Sequence, residues 1–170
     1  LSGHAALMFT AYPPLEATHW FYLYILVFAV GALIAVIHFL IQITRARITG
    51  HIRTLPLFTF GLVVAAILAL FTLASGTAAL IPAWLARLGV IEQADPGVYR
   101  LLFWGFGHGA QQVNLAAMVA IWYGLASLMV GARPINEGLS RLAFLLYVLF
   151  IQMGSMHHIL VDPGLSHWAR

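Results

Sequence analysis

Apolar side chains fall in four long runs, about residues 20–44, 57–80, 101–130 and 142–161, and the stretches between them hold nearly all of the charge. Each run offers the ~20 apolar residues that an α-helix needs to cross a bilayer core. No stretch alternates with a period of two, so helices are predicted and strands are not. The expected fold is all-α: a polytopic membrane protein with four transmembrane helices. Residues 1–19, with Pro13, Pro14 and Glu16, read as a connection. The longest internal connection is predicted at 81–100, where Pro82–Leu88 would lie as a short helix in the interface, anchored by Trp84. An Asp95-Pro96-Gly97 turn follows it, and Asp162-Pro163-Gly164 is expected to stop the fourth span.

Composition removes the soluble alternative. Hydrophobic residues make up 62% and charged residues 8%, against about 25% charged in ordinary globular domains. Arg45, Arg47, Arg53, Arg133 and Arg141 fall on one side of the predicted spans, and Arg87, Arg100 and Arg170 on the other. The positive-inside bias makes the 45–53 and 131–141 loops cytoplasmic. The net charge of +3 therefore orients the chain in lipid and gives no reason to expect nucleic acid as a partner. Cysteine is absent, which excludes disulfides and thiolate metal sites. The chain opens at Leu1 without a signal-type segment, so residues 1–170 read as a single segment of a longer polypeptide.

Polar side chains inside two of the spans carry the candidate chemistry. Phe103-Trp104-Gly105-Phe106-Gly107-His108-Gly109-Ala110-Gln111-Gln112-Val113-Asn114 lies in the third span, and Gly154-Ser155-Met156-His157-His158 in the fourth. A polar group in hydrocarbon costs several kcal/mol unless it finds a partner, so intramembrane polar residues read first as a functional site. His108 lies eight residues past Arg100, which is ~12 Å along a helix. His157 and His158 precede Asp162 by five and four residues, or ~6–8 Å. All three imidazoles are thus expected in the outer half of the bilayer, on two helices that a short loop makes antiparallel neighbours. Three neutral nitrogen donors suit copper, iron or zinc. The alternative is three separate buried histidines, each bonded to a carbonyl. His38 and Gln42, at i and i+4 near the end of the first span, read as a polar pair close to the headgroups.

Leu102-Phe103-Trp104-Gly-Phe-Gly-His108, Ser140-Arg-Leu-Ala-Phe-Leu-Leu146 and His157-His158-Ile-Leu-Val-Asp162-Pro163-Gly164 resemble catalytic subunit I of the heme-copper oxidase superfamily. B-type oxygen reductases and their nitric oxide reductase relatives look most similar. The resemblance covers most of the chain and corresponds to the middle helices, fourth to seventh, of a subunit with twelve or more. It implies a membrane-bound respiratory reductase in a prokaryotic plasma membrane, reducing dioxygen or nitric oxide. Its electrons would come from another subunit or a cytochrome c, and its other partners would be membrane lipid and the remaining helices of the same subunit. By the same resemblance His108, His157 and His158 hold a non-heme metal, copper or, in the nitric oxide reductases, iron. The metal faces a heme whose axial ligands lie outside this segment.

One position departs from the family pattern. Where most oxygen reductases carry His-Pro-x-x-Tyr, this chain has His108-Gly109-Ala110-Gln111-Gln112. Gln112 stands one turn from His108 on the same face and is the candidate catalytic residue at the tyrosine's place. An amide supplies neither an electron nor a proton at physiological pH, so the substitution argues for nitric oxide, which needs two electrons, over dioxygen, which needs four. Tyr147, ten residues before His157, fits neither that position nor the tyrosine of the C-type branch. Two other classes stay open: a non-catalytic heme-binding electron-transfer subunit and a transporter segment.

Overall fold

The computed structural model describes residues 11–13 and 17–160, without the side chains of Gln152, Ser155 and Met156. Four α-helices follow one another: α1 (His19–Ile48), α2 (Leu57–Arg87), α3 (Pro96–Val130) and α4 (Glu137–Gly154), with a 3-10 turn over Ser155–His158. There is no strand among the described residues. By length and composition α1, α2 and α3 can each cross a membrane. The protein is an all-helical, polytopic membrane segment.

Local chemistry sets the helix ends, and several differ from the sequence expectation. Residues Pro82–Arg87 do not form a separate interfacial helix. They continue α2, because the helix carries the one backbone bond that Pro82 cannot donate and Leu85, Ala86 and Arg87 are good helix formers. α1 likewise runs through Arg45 and Arg47 to Ile48; Gly50, at φ +76°, then turns the chain away. α3 begins earlier than its apolar run. Asp95 caps it by accepting the Val98 N–H at 2.8 Å, with Pro96 in the first turn. Asn136 caps α4 in the same way, accepting from Leu139 N at 2.9 Å. α4 is helical only to Gly154, short of the expected 161. Its last turn tightens into the 3-10 segment. Ser155 as a polar site residue and the Asp162-Pro163-Gly164 stop lie outside the described residues.

α2 is the centre of the bundle. It packs on α1 along one side and on α3 and α4 along the other, and α1 makes no comparable contact with α3. The α2–α3 approach is close because glycines face side chains across it. A Cβ on Gly61 would strike Ala120 and Phe144, one on Gly76 would strike Phe106, and one on Gly109 would strike the Thr72 hydroxyl. Ser75 Oγ donates to the Leu102 carbonyl at 2.7 Å across the same seam. Small residues and interhelical hydroxyl bonds of this kind hold helices together in lipid, where burial of apolar surface drives nothing. At one end of the bundle Arg141 ties α4 to the loop between α1 and α2. Its Nη2 donates to the Leu55 carbonyl and to Glu137, both at 2.5 Å, and its guanidinium lies 4.9 Å over the Phe60 ring.

Candidate metal centre

One slanting row of α3 faces α4 and the 3-10 turn: Arg100, Trp104, His108 and Gln112, each four residues from the next. Side chains at i and i+4 stack along such a row, and all four reach across. Arg100 Nη2 donates to the His158 carbonyl at 2.6 Å. The Trp104 ring lies on the His158 ring with centroids 3.4 Å apart and planes 9° from parallel. His108 Nε2 is 3.3 Å from His157 Nε2 and 2.7 Å from His158 Nε2. Gln112 Oε1 accepts a hydrogen bond from the Tyr147 hydroxyl of α4.

The structure therefore brings together the three histidines that the sequence singles out, with one ring nitrogen from each within 4.8 Å of the others. The tautomers say more than the distances. His157 Nδ1 donates to the Gly154 carbonyl at 2.5 Å, and His108 Nδ1 to Gln111 Oε1 at 3.1 Å. A neutral imidazole has one N–H. With Nδ1 protonated, both Nε2 atoms keep lone pairs and lie 3.3 Å apart, the two rings stacked with planes 27° from parallel. His158 can satisfy one of them through a proton on its own Nε2; the other is left against a like charge density. A cation removes the conflict. Nitrogens bound at ~2.0–2.1 Å in tetrahedral geometry stand ~3.3 Å apart; the His108–His157 spacing equals that value, the His108–His158 spacing is shorter at 2.7 Å, and the whole set lies within 4.8 Å, so a bound ion would draw the three rings into a more even triangle. A second N–H held by a carbonyl is also what orients histidine on a metal. The donor set fits a metal ion.

Gln111, expected beside the site, holds His108. Gln112 does not reach the histidine nitrogens and is engaged with Tyr147 instead. Asn114 is exposed and joins nothing in the centre. Sequence reasoning missed Arg100, Trp104 and Tyr147. The i+4 spacing of 100, 104 and 108 was readable as one face, but the partner it meets was not.

The profile of the family described as cytochrome C and quinol oxidase polypeptide I matches residues 1–170. The chain belongs to this family. Among characterised proteins it is similar to cytochrome c oxidase subunit 1 of Thermus thermophilus, with 31% identity over 171 residues covering 98% of this chain. It spans 30% of that relative's length. No solved structure matches. Membership makes this an oxidoreductase-family membrane segment of the heme-copper oxidase subunit I kind.

Proposed function

We propose that the chain is the metal-holding part of the catalytic subunit of a respiratory terminal reductase, and that His108, His157 and His158 bind its non-heme metal. What carries this reading is the meeting of three imidazoles from two elements with one ring nitrogen of each within 4.8 Å of the others. The metal, copper in the dioxygen reading, would supply a Lewis-acid and one-electron centre opposite a heme. The chain's own residues do the rest. Gln111 and the Gly154 carbonyl fix the tautomers of His108 and His157. Arg100 and Trp104 grip the turn that carries His158. Phe103 and Phe106 of α3 and the apolar side chains of α4 keep bulk water away from the reacting gas. The rest of the subunit would supply the heme ligands, and another subunit or a cytochrome c the electrons, in a prokaryotic plasma membrane.

We infer dioxygen as the substrate. Gln112 itself bears no readily lost proton, but the Tyr147 hydroxyl bonded to it brings a phenol from the neighbouring helix to the α3 position one turn from His108, and the characterised relative is named a cytochrome c oxidase. A second reading, nitric oxide reduction, rests on Gln112 alone, since two electrons from two metals suffice there. Steady-state consumption of each gas by the intact complex decides between them. Dioxygen turnover at least ~10-fold faster than nitric oxide turnover, a difference of about 1.4 kcal/mol in barrier, is expected. The reverse ratio would assign the chain to nitric oxide.

A further inference from the structure

Where α2 begins, α3 ends and the loop to α4 leaves, a cleft of about 660 Å3 opens in the surface. Along the helices its walls are apolar, with Leu57 and Phe58 from α2 and Gly124, Ala126 and Leu128 from α3. The Phe58 ring lies against Gly124, where a Cβ would meet it at 3.3 Å. Arg133, Pro134 and Glu137 stand at the loop end. The cleft is thus apolar along the spans and polar at the level of the loop.

The charge at that end is one-sided. Glu137 is already taken by Arg141 at 2.5 Å, whereas Arg133 is exposed and has no hydrogen-bond or ion-pair partner among the described residues. α2 also starts here, without a side-chain cap and without an acidic residue in its first turn. The N-terminal end of a helix is its positive end, and its first N–H groups have no partner within the helix. Arg133 and that helix end therefore border the same groove, and no free carboxylate answers them. Water does not account for the inner part, since a held water needs two to four polar partners and these walls offer mainly carbon.

We propose that the cleft binds one phospholipid with an anionic headgroup, its acyl chain between Phe58 and Leu128 and its phosphate between Arg133 and the first turn of α2. Neither half of the site suffices alone. Lipid tails are as apolar as leucine, so an apolar groove by itself selects no lipid. One arginine beside an anionic bilayer surface is worth only about 5-fold in affinity. Together they select: the groove sets the depth of the chain, and at that depth the phosphate meets Arg133. The lipid would hold the start of α2, the end of α3 and the following loop together. Arg141 ties α4 to the loop before α2 at the same end of the bundle. The competing occupant is another helix of the subunit, which would cover the walls and meet Arg133 with a carboxylate of its own.

Photolabelling of the full-length complex in phosphatidylcholine vesicles tests the site. The probes are phosphatidylglycerol and phosphatidylcholine carrying the same diazirine-bearing acyl chain, each added in trace amounts, with labelled peptides mapped afterwards. Phosphatidylglycerol should label residues 56–58 and 123–128 about 5-fold more than phosphatidylcholine does. Arg133→Gln should abolish that preference and leave labelling by phosphatidylcholine unchanged. Ser127→Phe fills the cleft from an exposed position and keeps the charge, so labelling by both lipids should fall at least ~5-fold. Metal per chain and labelling of other lipid-facing residues should stay at the wild-type level in both variants. Equal labelling by the two lipids in wild type, or a preference that survives Arg133→Gln, would overturn the headgroup assignment and the site with it. Labelling found elsewhere on the complex and absent from these residues would assign the cleft to a protein segment and overturn the lipid.

Discussion

Histidine and glutamine stand about one helical turn apart on α1 and again on α3, and only on α3 does the histidine meet others. On α1, His38 Nε2 lies 3.4 Å from Gln42 Nε2, and both residues are exposed. On α3, His108 bonds Gln111 and has Gln112 one turn on. The local grammar is the same: an imidazole and an amide stacked on one helix face. The difference is what lies opposite. α1 packs chiefly on α2, with Tyr22 near its start also meeting Tyr99 and Phe103 of α3, and the exposed His38 has its bond to Gln42 within its own helix. α3 lies against α2, α4 and the 3-10 turn at once, and its row of four side chains finds a carbonyl, a ring, two imidazoles and a phenol. A histidine in a membrane helix becomes a candidate ligand through its neighbours' geometry.

The largest effect should come from His108→Ala. Removing one of three donors leaves two imidazoles that cannot hold an ion well, and metal per chain should fall at least ~10-fold, the lower end of what even an outer partner of a metal ligand costs. Elemental analysis of the purified full-length protein measures it. Retention of stoichiometric metal would make the α3 pair no different from the α1 pair.

A middle-sized effect is expected from Gly109→Ala. The residue beside His108 has no room for a Cβ, because the Thr72 hydroxyl occupies that space and Thr72 is itself buried at 3% exposure. Thr is stiff at χ1, so α2 and α3 must separate, at about 1–3 kcal/mol by the usual cost of overpacking. Thermal unfolding in detergent would read it as a lower midpoint. An unchanged midpoint would mean that α2 does not set the position of His108.

The smallest effect belongs to His38→Ala. With no partner beyond Gln42, the change should stay within about 0.5 kcal/mol in stability and leave metal per chain unchanged. A loss of metal in this variant would erase the contrast between the two pairs.

The sequence made the helices legible because hydropathy alone separates them, and it made the three histidines legible because a charge-free run has few other places for polarity. Helix ends were less so. The continuation of α2 through Pro82 depends on Ala83, Leu85, Ala86 and Arg87, good helix formers, outweighing one missing N–H, and the last turn before the 3-10 segment has its Gly154 carbonyl taken by His157. The row Arg100, Trp104, His108, Gln112 is a pattern of spacing, visible on one strand of text. Tyr147 was not legible as a site residue, because only the crossing of α3 and α4 puts position 147 beside position 112. The departure from proline at Gly109 also has its reason on another helix, in Thr72.

One metal ion is expected among His108, His157 and His158. X-ray absorption at the metal edge of the intact, purified complex tests it most directly. The account predicts about one non-heme metal per chain with three imidazole nitrogens near 2.0–2.1 Å, the range usual for histidine on a first-row ion, and fewer nitrogens in His158→Ala. A metal shell with no imidazole scattering, or one unchanged in His158→Ala, would contradict it.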